Sequence, residues 1–160
     1  PSTSSAASDV YKRQIVNTLS KYTNRLISQP FEYNKLKGNN IWATFPRENK
    51  SGTDMRFMLG AHWDTRPQSE LDDNQKNRDV PSPGANDGGS GVAMLLEIAR
   101  ILSMKPAPVT VDLIFFDLED LGNIDDLPFA IGAEQFVKKN SFYKPDKGII
   151  VDMVLSLIHI

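Results

Sequence analysis

Apolar positions along this chain follow two periods, one helical and one extended. Residues 15–28 place Ile15, Leu19, Tyr22, Leu26 and Ile27 near helical spacing, which predicts an amphipathic helix that Pro30 stops. Residues 39–45 predict a strand, and after a polar turn over 46–54 residues 55–60 predict a second. The segment 68–83 is polar, acid-rich and interrupted by prolines. At about 16 residues it is long for a simple connection and reads as a functional loop. Residues 92–102 predict a helix with Val92, Leu95, Leu96, Ala99 and Leu102 on its apolar face. Pro106 and Pro108 then break the chain before a strand over 109–116. Leu113 to Phe116 is apolar at every position, as in a strand covered on both faces of an α/β sheet. Residues 129–139 predict a helix with Ile131, Phe136 and Val137 inward, and 148–154 predict another buried strand. Phe115, Phe116 and Phe129 read as core. Strands and helices in this order predict one α/β domain without internal repeats.

The acids fall where these elements end. The strand at 109–116 runs into Asp117-Leu118-Glu119-Asp120, and that at 55–60 runs into Ala61-His62-Trp63-Asp64. Parallel sheets present their chemistry at the carboxyl ends of their strands. A solvated turn would also carry such acids, so the pair Glu119–Asp120 gains meaning only from its neighbours. Asp152 stands among apolar β-branched residues, where an unpaired acid is costly to bury. Asp87 lies in Gly-Ala-Asn-Asp-Gly-Gly-Ser-Gly, just before the helix at 92–102. That turn lacks the lysine of a phosphate loop and the spacing of a dinucleotide site. Its central aspartate suits a metal better than a phosphate.

Composition narrows the donors. The 160 residues carry a formal net charge of -2 and contain 40% hydrophobic and 24% charged residues, without a basic footprint for nucleic acid. No apolar run approaches the roughly 20 residues needed to span a bilayer. With no cysteine and only two histidines, His62 and His159, a metal must be held by carboxylates and imidazole. Three carboxylates with a neutral imidazole suit zinc, which leaves a fourth carboxylate to act as general base.

In this order the motifs resemble the M28 family of zinc peptidases and, within it, the bacterial glutaminyl-peptide cyclotransferases. The matching strings are Ala-His62-Trp63-Asp64, Gly-Ala-Asn-Asp87-Gly-Gly-Ser-Gly, Phe-Phe-Asp-Leu-Glu119-Asp120-Leu-Gly and Ile-Val-Asp152-Met-Val. The resemblance implies a three-layer α/β/α zinc-exopeptidase-like fold around a mixed, mostly parallel sheet, incomplete at its C-terminal side. It implies that Asp87 and Asp120 bind zinc and that Glu119 is the general acid/base. His62 and Asp152 match ligands of a second metal in the aminopeptidases. In the cyclotransferases, which use one zinc, Asp152 belongs to the network that moves the proton. Asp64 is implied to orient His62, and Trp63 is a candidate substrate contact. The substrates implied are peptide or protein N-termini, in the periplasm or outside the cell. An M28 aminopeptidase is the alternative, and a non-catalytic module or inactive fragment is a second one.

Residues 5–14 and 156–160 also look like translated sequencing-adapter read-through. The expectation is a natural domain over 15–154, with 1–14 disordered and foreign and 155–160 a foreign tail. His159 is therefore not recruited as a ligand. The further zinc-binding histidine that the family takes from a loop well beyond Asp152 has no counterpart here, so the implied metal shell is incomplete. Re-sequencing the locus tests the adapter reading.

Overall fold

The computed structural model describes residues 6–48 and 54–155. Both ends read as foreign extend beyond these limits, and His159 lies outside the described residues, as do residues 49–53 of the predicted polar turn. Helix α1 (Ala6–Leu19) is followed by β1 (Leu26–Tyr33), β2 (Leu36–Phe45) and β3 (Arg56–His62). Helix α2 (Gly89–Met104), β4 (Thr110–Phe116), α3 (Ile131–Lys139) and β5 (Lys147–Ile150) complete the order. The five strands form one mixed sheet in the order β1-β2-β4-β3-β5.

The alternation of each strand explains three layers. Ile41, Ala43 and Phe45 of β2 and Val111, Leu113 and Phe115 of β4 share a core with Ile15 and Leu19 of α1 and Leu95 and Ala99 of α2. The intervening residues Trp42 and Ile114, together with Phe116, meet Phe136 of α3 on the opposite face. Successive side chains of a strand point to opposite faces, so a strand covered by helices on both sides is apolar throughout, as β4 is. Its exceptions are Thr110, at its start, and Asp112, fully buried, which accepts bonds from Trp42 Nε1 at 2.9 Å, Thr44 Oγ1 at 2.6 Å, Arg56 Nη1 at 2.8 Å and the Tyr143 hydroxyl at 2.9 Å.

Two elements depart from the sequence reading. The first helix does not extend over 15–28. It begins at Ala6, inside the segment expected to be disordered, and ends at Leu19, while Leu26 and Ile27 open β1 and pair with Ala43 and Trp42. Pro30 does not stop a helix; it lies within β1, opposite Asn39. A proline, which has no N–H to donate, is tolerated in a strand at a sheet edge. The hairpin to β2 turns on Asn34 and Lys35, whose φ angles of 48° and 70° are those of a type I′ turn. At the other edge β5 stops at Ile150 and is exposed along its length. Asp152 therefore follows an open edge strand and is not embedded in a buried one. Val137 is 67% exposed and Phe129 50%, so neither is the core residue expected.

The antiparallel pairings are β1–β2 and β2–β4, and the parallel ones are β4–β3 and β3–β5. The parallel half positions the site. Its three strands run the same way, which brings the residues after His62, Phe116 and Ile150 to one edge. The ladder continues past the strand ends through Trp63 N–H to Phe116 O and Val151 N–H to Gly60 O, at 2.9 and 2.8 Å. Helix α2 starts at the same edge. Among the described residues, no helix is long and apolar enough to cross a membrane.

Candidate metal and catalytic site

His62, the last residue of β3, is 4% exposed and faces acids on two sides. Its Nε2 lies 2.9 Å from Asp87 Oδ1 and 3.4 Å from Asp152 Oδ1. Its Nδ1 lies 3.5 Å from Asp64 Oδ1 and 3.9 Å from Glu119 Oε2. None of these contacts has hydrogen-bond geometry: both ring nitrogens are buried without a hydrogen-bond partner. Burial alone pushes the His62 imidazole down, but its contact with Asp64 and the charges of Asp64, Glu119 and Asp152 carry it up to about 9. A proton is one way to satisfy that acid-rich surrounding; a cation is another.

The glycine-rich turn brings Asp87 to the imidazole. Gly88 has φ 79°, and a Cβ there would stand 2.6 Å from Asp64 O and 3.2 Å from His62 Cε1. Only glycine combines that dihedral with so close an approach. Gly91, one turn into α2, leaves no more than 3.0 Å between a built Cβ and either the Ala61 side chain or Val151 O. The helix start is thus seated against the ends of β3 and β5. Ser90 Oγ accepts from Val154 N–H at 3.1 Å, and Asn86 Oδ1 accepts from Leu155 N–H at 3.0 Å. These bonds hold the turn after Asp152 beside α2.

Asp64 ties the strand end to the acid pair. Its Oδ1 accepts from Glu119 N–H and its Oδ2 from Asp120 N–H, both at 3.0 Å. Upstream, Asp117 accepts from Asn39 N–H at 2.8 Å and Leu118 N–H at 2.9 Å. Asn40 accepts from Asp117 N–H at 3.0 Å and donates to Gly132 O at 2.8 Å. Leu118 takes φ 53° between the two acids' attachments. Glu119 is raised first by burial and then, against the pull of His62, by the charges of Asp64, Asp120 and Asp152. Asp120 is likewise raised, first by burial and then by the charges of Asp87 and Asp64, with Arg66 acting against them.

His62, Asp87 and Asp152 each offer a ligand atom within 4.8 Å of the others and could hold a metal ion. Asp120 lies outside that group, against Arg66. Asp152, expected first as a proton-network residue, is thus grouped with the metal candidates, and Glu119 borders the group through His62. Trp63 is not an exposed substrate contact. It is 4% exposed, packs in the core and donates its indole N–H to Asn39 O at 3.2 Å. It lines a cavity of about 590 Å³ together with Asp64 and Asp117. Nothing in the sequence pattern marks Asp117 or Asn40 for a role at the site. The one available signal was Arg66, a cation two residues after a site acid.

The profile of peptidase family M28 matches residues 40–157. The chain belongs to that family. The same fold occurs in a Zn-dependent exopeptidase from Parabacteroides distasonis, with a TM-score of 0.81 and 34% identity, covering 94% of this chain and 55% of that one. It occurs also in a glutaminyl cyclase from Porphyromonas gingivalis, with a TM-score of 0.82 and 35% identity, covering 94% and 54%. In sequence, Aminopeptidase YwaD of Bacillus subtilis is 49% identical over 41 residues, which are 26% of this chain and 9% of that protein. The chain thus spans just over half the length of these structural relatives. The expected family and α/β zinc-exopeptidase fold hold.

A zinc ion fits the M28 site. The test is His62, whose buried nitrogens lack hydrogen bonds and face carboxylate oxygens. Nitrogen and carboxylate oxygen are donors that zinc accepts.

Proposed function

We propose that the whole protein is a zinc-dependent glutaminyl-peptide cyclotransferase, which closes an N-terminal glutamine to pyroglutamate and releases ammonia. In that reading Asp87 and Asp120 hold the zinc, while His62 and Asp152 line the adjoining metal position. Bound zinc would polarise the side-chain carbonyl as a Lewis acid. The substrate α-amine forms a bond to that carbonyl carbon, and the bond from carbon to the amide nitrogen breaks. Glu119 accepts the amine proton and returns one to the departing ammonia. A half-buried carboxylate whose proton affinity is raised suits both transfers. Asp152 helps carry the proton, and Asp64 holds His62 and the Glu119 backbone in register.

The observation that carries an enzymatic reading is Glu119 itself, placed 3.9 Å from a histidine whose other nitrogen faces the metal acids. Metal binding alone, as in a non-catalytic module, has no need of it. Cyclisation is favoured by likeness to the Porphyromonas gingivalis glutaminyl cyclase across nearly the whole chain. An aminopeptidase is the second reading, in which Glu119 activates water and a peptide bond is cleaved. The assembled His62–Asp87–Asp152 group favours it, because those residues could hold a second metal, as does the segment similar to Aminopeptidase YwaD. Both readings take peptide or protein N-termini as substrate, and we place the protein outside the cytoplasm, in the periplasm or secreted.

The test offers the zinc-loaded whole protein a Gln-initiated peptide and an aminoacyl chromogenic substrate. Ammonia release without hydrolysis supports cyclisation; hydrolysis alone assigns the aminopeptidase. Glu119→Gln is expected to lose at least 100-fold of either activity, on the order expected for a general acid–base group, while zinc content is unchanged. Undiminished turnover in that variant removes Glu119 from the mechanism.

A further inference from the structure

Arg66 forms an ion pair with Asp120 of the acid pair and grips it twice. Its Nη1 donates to Asp120 O at 3.0 Å and to Asp120 Oδ1 at 3.3 Å. Nη2 donates to Gly122 O at 3.1 Å, and the rest of the fork is held by Glu70, with Nε to Oε1 at 2.8 Å, Nε to Oε2 at 3.0 Å and a further bond from Nη2. The guanidinium also lies 5.9 Å from the centre of the Phe129 ring. The Arg66 side chain is mostly buried, as is that of Asp120. A planar fork fixed at this many points has little freedom left to follow its partner.

The consequence falls on the Asp120 carboxylate. Its main chain is pinned on both sides, N–H by Asp64 and C=O by Arg66. Of its two side-chain oxygens, Oδ1 accepts from Arg66, and among the described residues no bond to Oδ2 is seen. We propose that Arg66 is a positioning residue that presents Asp120 to the metal through Oδ2 alone, so that Asp120 is a one-oxygen ligand. The inference rests on the metal-site reading above and adds to it the atom through which Asp120 acts. Glu70 extends the device, because it anchors the far side of the fork from within the polar segment 68–83. That gives the acid-rich stretch a structural link to the site.

The experiment titrates cobalt(II), and separately zinc, into the full chain as wild type, Arg66→Ala and Arg66→Lys, with circular dichroism confirming the fold of each. The visible absorption of bound cobalt weakens as its coordination number rises. With Oδ1 released, Arg66→Ala is expected to bind with both oxygens, giving a weaker and shifted cobalt band. Its zinc affinity is expected to fall roughly 10–100-fold, the range for lost partners of metal ligands. Arg66→Lys keeps a cation and a donor for Oδ1, so it is expected to restore the wild-type band with a smaller loss of affinity. Unchanged spectra and affinities in both variants overturn the inference. So does an Arg66→Lys chain that folds yet binds as Arg66→Ala does, and this arm stands even where Arg66→Ala fails to fold. Asp120→Asn separates the two levels: if it leaves the wild-type cobalt spectrum untouched, the placement of Asp120 at the metal fails, whatever Arg66 does.

Discussion

Asp64→Asn is the substitution that most directly probes how the fold builds the site. The aspartate uses each oxygen on a different backbone N–H, that of Glu119 and that of Asp120, both at 3.0 Å. Asparagine is nearly the same shape but keeps one acceptor oxygen, so its amide nitrogen must face one of the two N–H groups. One hydrogen bond to a charged acceptor, about 1.5–3 kcal/mol, is lost outright, and the orphaned part-buried N–H adds about 1 kcal/mol or more. The expected loss is about 2–4 kcal/mol. With a urea dependence of about 2 kcal/mol per molar for a small domain, the midpoint falls by about 1–2 M. The acid turn carries Glu119 and Asp120, so zinc affinity measured by competition with a chromogenic chelator should drop roughly 10–100-fold as well. Both effects must appear together, because one carboxylate supports both. A midpoint within about 0.3 M of wild type, at the usual slope, would refute the clamp. Lost stability with unchanged zinc affinity would refute its link to the metal.

Two further outcomes follow from the buried acids Asp112, within β4, and Asp117, just after it. Asp112→Ala strands the Arg56 guanidinium and three other donors around a fully buried position, and should cost about 3–5 kcal/mol in urea denaturation; a loss below about 1 kcal/mol would mean that water replaces the carboxylate. Asp117 is pushed up from 3.8 to about 7, first by burial and then by the charge of Asp64, against bonds from the Asn39 and Leu118 N–H groups. Because the folded carboxyl holds its proton where the unfolded one has lost it, stability from this group is greatest below about pH 4 and declines as pH rises to about 7. At about 1.4 kcal/mol per tenfold change in proton affinity, the decline approaches about 4 kcal/mol and levels off above that pH. Midpoints of wild type and Asp117→Asn across this range should converge on the acid side of the window for the proton-linked part of their difference; a constant difference would remove the proton from the account.

Long, repetitive patterns were the legible part of the sequence. Residues Leu113 to Phe116 read correctly as a strand covered on both faces, because burial on two sides removes alternation. The helix over 92–102 stood out by its five apolar positions and needed only its ends moved. The first helix failed because Leu26 and Ile27 continue a helical spacing by coincidence, and Pro30 resembled a stop signal. What decides there is tertiary: β1 is an edge strand whose partner, β2, supplies the ladder. The site showed the same division. His62, Asp87, Glu119 and Asp152 were identifiable because strand ends gather chemistry, and the structure brings them together. The supporting bonds of Asp64, Asn40 and Arg66 run between residues far apart in the chain, and no periodicity records such pairings. Phe129 reads as core in the sequence, whereas its half-exposed ring meets Arg66.

The acids of the sheet divide according to what already occupies them. Asp112 accepts four side-chain donors, and Asp117 and Asp64 each accept two backbone N–H groups. Their lone pairs are committed to the fold. Asp87, Glu119 and Asp152 are different: among the described residues their ion-pair contacts are with His62, and their side chains are 41%, 31% and 51% exposed. Carboxylates with uncommitted oxygens, open on one side and backed by a buried imidazole, are those the proposed reading assigns to a metal and a proton. Cyclisation and hydrolysis differ in whether an amine or a water meets the carbonyl, and in both proposed readings the same uncommitted set would serve. On the proposed reading, the open side of Asp87, Glu119 and Asp152 is where metal and substrate would meet, and the acids bonded into the fold hold that side in place.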